Sequence, residues 1–220
     1  MRLIHRVALV ALSGMLPLAP GYSLASANNH CADAAAPIAV AATPQAAHAG
    51  HEMSGPASTP ESGEASPEQQ YIDMMIPHHA SIIALAEVAA PDLTDPRLRE
   101  MATAIIATQE AEIAELRELR QARFGSPDPA PLDHALMGMV EMDAGAQIAA
   151  FCAAPDPDIA FARQTLPHHE LAVASSRDLL DASDDAELRA LAERVISAQA
   201  AEIATLQQVL REHSEATPAP

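Results

Sequence analysis

The sequence of 220 residues contains no lysine and no tryptophan, and aromatic residues make up only 2% of it. Its 12 basic residues, all arginine, face 30 acidic ones, which gives a formal net charge of −18. This excess excludes binding to a nucleic acid backbone, which needs basic side chains to displace counterions. It also disfavours anionic membrane surfaces and makes cations the natural partners of the chain. The apolar 49% is mainly Ala, Leu, Ile, Val and Met, which suit packed helices better than sandwiches or barrels.

Residues 1–27 have the pattern of a secretory signal peptide. Two arginines and a histidine precede an apolar run over residues 7–18, and the segment ends in Ala-Ser-Ala, a small-residue cleavage site. The run is short for a membrane span, and an uncleaved anchor helix is the alternative interpretation. The sequence therefore predicts a periplasmic or secreted protein, with no membrane insertion after cleavage.

Composition divides the rest of the chain into a lead, a domain and a tail. Residues 28–66 are rich in Ala, Pro, Ser and Gly without sustained apolar periodicity, which predicts a disordered lead. Residues 67–213 form the predicted domain, and residues 214–220 form a flexible tail. An oxidising compartment would allow a disulfide between Cys31 in the lead and Cys152 in the domain.

Capping residues and helical periodicity predict five helices and no strand in the domain. Ser66, Asp95 and Asp156 each precede a proline, which is the arrangement of an N-cap followed by the first helical residue. The predicted helices cover approximately residues 67–90, 96–124, 133–153, 157–181 and 184–213. The chain is therefore predicted to be all-α.

An internal repeat relates the two halves of the domain at an offset of 90 residues. Two motifs recur without a gap, Pro-His-His and Gln-x-x-Glu-Ile. Their copies are Pro77-His78-His79 with Pro167-His168-His169, and Gln109 to Ile113 with Gln199 to Ile203. Helices one and two thus form a hairpin, and helices four and five form its copy. Two amphipathic hairpins pack most simply as a four-helix bundle, with helix three as the crossover.

The repeated polar residues lie on predicted core faces. Gln109 and Gln199 interrupt the apolar stripes of helices two and five, and a buried amide without partners costs roughly 1–3 kcal/mol. We expect each to pair with the histidines of its own hairpin, where the preceding proline predicts a helix kink. The two expected polar patches are His78 and His79 with Gln109 and Glu112, and His168 and His169 with Gln199 and Glu202.

Methionines beside the first histidine pair favour a soft metal. Met74 and Met75 precede His78 and His79 by about one helical turn, so they lie on the same faces, whereas the second copy has Gln and Thr there. Thioether and imidazole ligands together favour copper, Cu(I) in particular, over hard cations. The alternative is that the methionines fill the core and that the histidines are structural.

More histidines and methionines lie outside the repeated motifs. Those of the third helix are His134, Met137, Met139 and Met142. Those of the lead, with its cysteine, are His30, Cys31, His48, His51 and Met53. The lead residues could bind copper loosely, and incidental composition is the alternative.

The motifs resemble the domain-of-unknown-function 305 family. Its pattern is Met-x-x-His-His, followed on the next helix by Gln-x-x-Glu-Ile, and it often occurs twice in one domain. Met75 to His79 and Gln109 to Ile113 match this pattern, whereas the second copy lacks the methionine and Leu85 stands where a second methionine is common. The resemblance covers approximately residues 67–212. It implies an exported, ferritin-like helical bundle, and some members of the family bind copper.

The sequence thus predicts an exported metal-binding protein that holds copper for storage, delivery or tolerance. A metal-free helical interaction module with a buried His, Gln and Glu network is the alternative, and a metal-dependent redox enzyme is a third interpretation. An enzyme is disfavoured because di-iron Glu-x-x-His, zinc-protease and nucleophile-elbow motifs are absent from the sequence. The expected copper ligands are Met74, Met75, His78, His79, His168 and His169, and the expected supporting residues are Gln109, Glu112, Gln199 and Glu202.

Overall fold

The computed structural model describes Cys31 and residues 65–129 and 143–216. Within these ranges the chain forms five α-helices and no β-strand, so the all-α prediction is confirmed. The helices are α1 (Pro67–Ala89), α2 (Pro96–Phe124), α3 (Ala144–Ala153), α4 (Pro157–Ala182) and α5 (Ala186–Ala216). None of the described helices is long and apolar enough to cross a membrane.

Several predictions concern residues outside the described ranges. They include the signal peptide, most of the lead and the end of the tail. The first part of the predicted third helix also lies outside. The candidate metal ligands that lie outside are His30, His48, His51, Met53, His134, Met137, Met139 and Met142.

Most helices begin and end where the sequence places capping residues. The side chains of Ser66 and Asp156 accept hydrogen bonds from backbone N–H groups three residues further on, at 3.3 and 3.1 Å. The Asp95 side chain accepts one from the N–H of Arg97 at 2.8 Å. Gly125 ends α2 with φ of 78°, a conformation that glycine adopts without steric cost. These local signals explain why the predicted bounds of α1, α2 and α4 agree with the structure. The third predicted helix, 133–153, is wrong at its start, because α3 begins at Ala144 with Asp143 as its N-cap.

The N-terminus of α5 corrects the predicted cap. The sequence placed the helix start at Asp184, but it is Asp185 whose side chain accepts hydrogen bonds from the N–H groups of Glu187 and Leu188, at 3.1 and 3.0 Å. Arg123 at the end of α2 contacts the same carboxylate through two hydrogen bonds of 2.8 Å. A tertiary ion pair therefore selects between two adjacent aspartates that are equivalent as local caps.

The four long helices enclose two apolar clusters. α1 packs along α2, α4 packs along α5, α1 contacts α4, and α2 meets α5 along a narrow seam. Short α3 packs against α1 and α4. Cluster one includes Leu85, Leu98, Phe161 and Leu206. Cluster two includes Ile72, Met75, Leu116, Leu179 and Leu191. On each long helix, the buried polar residues of the repeated motifs lie in sequence between the residues of the two clusters. They are therefore near the middle of the helix.

A disulfide fixes one point of the lead. Cys31 and Cys152 are bonded, with their Cα atoms 5.5 Å apart, and both side chains pack against cluster one. The pairing that the sequence left open is therefore present. Cys31 lies in the segment predicted to be disordered, and it is attached to α3 at this position.

Candidate metal centre

A layer of buried polar side chains separates the two apolar clusters. We call it the histidine layer. Four histidines and two glutamines are 0–2% exposed, and two partly exposed glutamates border them. Its members are His78, His79, Gln109, Glu112, His168, His169, Gln199 and Glu202. The structure thus brings the four histidines and the two glutamates of the predicted site together, and it buries the two glutamines one turn before those glutamates.

His78 and His168 occupy the centre of the histidine layer. Their ring centroids lie 3.6 Å apart, which joins the two predicted patches into one site. His78 Nε2 lies 3.1 Å from the backbone oxygen of His168, and His168 Nε2 lies 3.0 Å from the backbone oxygen of His78. Because a carbonyl oxygen only accepts hydrogen bonds, both Nε2 atoms carry the proton and donate it.

The second histidine of each pair faces a glutamate of the neighbouring helix. His79 Nε2 lies 2.9 Å from Glu112 Oε2, and His169 Nε2 lies 2.7 Å from Glu202 Oε2. These are ion-pair distances without the alignment of a hydrogen bond. A lone pair pointing at a carboxylate would be repelled, so the Nε2 atoms of this outer pair carry the proton as well.

All four histidines therefore leave the same atom unused. None of the four Nδ1 atoms has a hydrogen-bond partner, and each is fully shielded from solvent. These atoms belong to His78, His79, His168 and His169. In a neutral ring with the proton on Nε2, Nδ1 bears a lone pair that can accept a hydrogen bond or bind a metal ion.

The central histidines are held in the neutral form. Burial lowers the pKa of both His78 and His168 well below the ordinary value of 6.5, because charge is costly away from water. The other histidines of the layer lower both pKa values further, since cations repel each other at short range. The lone pairs at this position therefore persist below the pH at which an exposed histidine is protonated.

Ser81 is part of the site, although it lies outside both repeated motifs. Its Oγ donates to the backbone oxygen of His78 at 2.8 Å and lies 3.0 Å from His168 Nε2. At the offset of 90 the corresponding residue is Leu171, so the repeat could not reveal this contact. A polar residue one turn after the histidines was the only available signal.

The methionines and glutamines do not occupy the expected positions. Met75 is fully buried among the apolar side chains of cluster two, and partly buried Met74 packs at the edge of that cluster. Both amide atoms of Gln199 and the oxygen of Gln109 are buried without a hydrogen-bond partner. The glutamines are thus buried without the histidine pairing that we predicted, and the glutamates one turn further along contact the histidines instead.

The unpaired amide of Gln199 leads to a first prediction. Gln199→Leu is expected to stabilise the metal-free protein by about 1 kcal/mol, because it removes a buried amide that has no partner and keeps the volume of the side chain. Urea unfolding of the variant beside the unmodified protein measures the difference. A loss of stability would show that the amide is paired in solution. Gln207→Leu, on the exposed face of α5, is the control.

No three side chains among the described His, Cys, Asp and Glu residues converge as a conventional metal site requires. Imidazole nitrogen is a donor that suits zinc, copper, iron and nickel, and four imidazoles lie in this layer. Fold and site together define an all-α protein with a buried histidine layer. The chain belongs to the DUF305 family, a domain of unknown function, whose sequence pattern matches residues 68–210.

Solved structures of related proteins agree with this assignment. CopM in its Cu(II)-bound form is 32% identical, with a TM-score of 0.58 over 66% of this chain and 96% of that one. CopM has also been solved in Cu(I)-bound and silver-bound forms. A DUF305 fragment from Deinococcus radiodurans is 27% identical, with a TM-score of 0.57 over 67% of this chain and 97% of that one.

A curated relative matches a shorter stretch. The uncharacterized protein L153 of Acanthamoeba polyphaga mimivirus is 36% identical over 56 residues. The match covers 26% of this chain and 37% of that protein, so the chain spans little more than a third of its length.

Proposed function

We propose that this protein binds Cu(I) in its histidine layer. The observation that carries the proposal is the common arrangement of the four histidines. Each Nε2 faces a backbone carbonyl or a carboxylate, and each Nδ1 is buried without a partner. Metal-binding histidines are held in this way, since a partner on one ring nitrogen orients the ring and raises the basicity of the other.

The donor set fits a soft monovalent ion. Neutral imidazole nitrogens bind copper well, and Cu(I) and Ag(I) are satisfied by few donors, including linear pairs, so convergence of three side chains is not required. His78, His79, His168 and His169 would hold the ion. Met74 and Met75 remain candidates if a thioether turns from cluster two towards the layer. Bound copper would be cargo, since no catalytic role for the ion follows from these residues.

The relatives support the same ligand. CopM, which is similar to nearly the whole described domain, has been solved with Cu(I), Cu(II) and silver bound. The negative charge of the chain also favours a cation as its partner. The N-terminal signal pattern supports export to the periplasm or beyond. Copper storage, delivery or tolerance in that compartment is therefore the proposed role.

We further propose that the domain is a ferritin-like four-helix bundle made of two repeated hairpins. The reciprocal contacts of His78 with His168, and the matching pairs His79 with Glu112 and His169 with Glu202, support a twofold relation between the hairpins. Short α3 lies in the segment that would cross from one hairpin to the other.

A metal-free helical interaction module is the second candidate. One observation favours it: His78 and His168 already bond to each other's backbone, and Ser81 closes the arrangement without an ion. In this interpretation the histidine layer serves only to specify the packing of α1 on α4. The two candidates differ in what added copper does.

Thermal unfolding with and without Cu(I) tests the proposed function. A ligand that binds only the folded state adds about 2.7 kcal/mol at a hundredfold excess over Kd. For a domain of this size the midpoint of unfolding should rise by roughly 5–10 °C. Metal analysis of protein isolated from the periplasm without an affinity tag gives the identity of the ion. A midpoint unaffected by Cu(I), with protein isolated free of metal, would favour the interaction module.

Thermal unfolding of the copper-free protein at a series of pH values checks the state of the central histidines. Their pKa values are lowered in the folded protein, so the unfolded chain binds more protons at acidic pH. The free energy of unfolding should therefore decrease as pH falls below the ordinary histidine pKa of 6.5. A double variant, His78→Leu with His168→Leu, should flatten this part of the profile.

A further inference from the structure

The seam between α2 and α5 has a groove at one end. The groove has a volume of about 340 Å³ and is open to solvent. Glu100 and Ala104 line it from α2, and Glu202 and Thr205 line it from α5. Two of these four side chains are short, and the other two are acidic.

Glu202 connects the groove to the histidine layer. Its side chain is 18% exposed, and its Oε2 atom lies 2.7 Å from His169 Nε2, which belongs to a fully buried ring. One turn earlier on α5, Gln199 is buried with no partner for either amide atom. A cation in the groove thus meets a carboxylate that directly contacts the buried layer.

An ion pair occupies the other end of the seam. Arg194 of α5 lies 2.6 Å from Glu115 of α2 and joins the two helices. At the offset of 90 residues, Arg194 corresponds to Ala104, and Glu115 corresponds to Thr205. Glu115 follows Glu112 by one turn, just as Thr205 follows Glu202. The long, paired side chains of Arg194 and Glu115 therefore occupy the positions where the groove has the short side chains of Ala104 and Thr205.

The two ends of the seam also differ in charge, and the groove is the more acidic of the two. In the groove, Glu100 and Glu202 attract cations, and the guanidinium of Arg97 at the rim is engaged by Asp95 and Glu212 at 2.6 and 2.7 Å. At the other end, Arg194 is paired with Glu115, one turn after the glutamate that contacts His79, so this pair adds no net charge there. The residue that corresponds to Glu100 there is an alanine.

We propose that the groove beside Ala104 and Thr205 is the entry route by which a monovalent soft cation reaches the histidine layer, and that the Arg194–Glu115 pair blocks the corresponding route at the other end. The inference rests on the proposed function. It adds a direction: the ion enters the layer from the His169–Glu202 side.

The repeat supplies variants that exchange the two ends. Ala104→Arg with Thr205→Glu transfers the ion pair into the groove, and Arg194→Ala with Glu115→Thr removes it from the other end. Full-length protein is mixed with Cu(I) held by a weak colorimetric chelator, and transfer is followed by stopped-flow absorbance. The first exchange should slow uptake about tenfold, the lower end of what charge and access at a cleft contribute to association rates. The second should accelerate uptake, because it opens a route at the other end, and neither should alter equilibrium affinity.

Two further measurements separate this inference from the proposed function. Ala122→Arg on the exposed face of α2 adds a charge away from the groove and should leave the rates unchanged. Equal rates for the unmodified chain and the closed-groove variant, with Cu(I) affinity intact, would overturn the entry route and leave copper binding standing. If the unmodified chain binds no Cu(I) at equilibrium, both are overturned.

Discussion

Replacing His78 and His79 together by Ala is expected to abolish high-affinity Cu(I) binding. The change removes two of the four buried Nδ1 donors, including one of the central pair. The loss in affinity should exceed the 10–100-fold that follows removal of a mere supporting partner. Competition titration against a Cu(I) chelator of known affinity measures it. Replacing His213, which is 40% exposed and lies outside the layer, is the matched control and should leave affinity unchanged.

The corresponding change at His168 and His169 decides the role of the methionines. If Met74 and Met75 bind the ion beside the first histidine pair, removal of the second pair should cost less. If the methionines only fill cluster two, where the structure places them, the two double variants should lose affinity equally. Unchanged Cu(I) affinity in both double variants would place the ion outside the histidine layer and contradict the proposed site. Urea unfolding confirms that each variant is folded before its affinity is compared.

Helix bounds were predictable because they depend on neighbours in sequence. Ser66, Asp156 and Gly125 act within one turn of their own helix ends, so their identities alone predict where those ends lie. The choice of Asp185 over Asp184 was not predictable in this way. It depends on Arg123, which lies on another helix and approaches only once the chain has folded.

The site was predictable in part for the same reason. The repeat identified the buried histidines and the glutamates that contact them, because those contacts lie within each hairpin. The distance between the hairpins is a property of packing between α1 and α4, so the 3.6 Å approach of the His78 and His168 rings could not be predicted. The glutamine pairing failed because Gln109 and Glu112 share a helix face, and periodicity does not distinguish which of the two contacts a histidine.

Two substitutions at Glu112 should separate the metal-binding interpretation from the structural one. Glu112→Leu leaves the buried His79 Nε2–H without the carboxylate that faces it, so the metal-free protein should lose roughly 1–3 kcal/mol of stability. Glu112→Gln retains an oxygen acceptor of the same length, so most of that stability should remain. Urea unfolding of the two variants measures the difference.

Cu(I) affinity should change in a different pattern. A carboxylate raises the basicity of the imidazole that it contacts more than a neutral amide does, so Glu112→Gln should weaken Cu(I) binding about 10–100-fold while the fold stays stable. The interaction module predicts no high-affinity Cu(I) binding by the unmodified protein or by either variant, since in that case Glu112 only satisfies a buried donor. Glu202→Gln on the second hairpin should repeat the result, because His169 faces its carboxylate at 2.7 Å. Wild-type affinity in both variants, with stability lost only in the leucine variants, would assign the glutamates to the structure alone and remove the argument that the four rings are oriented for a metal.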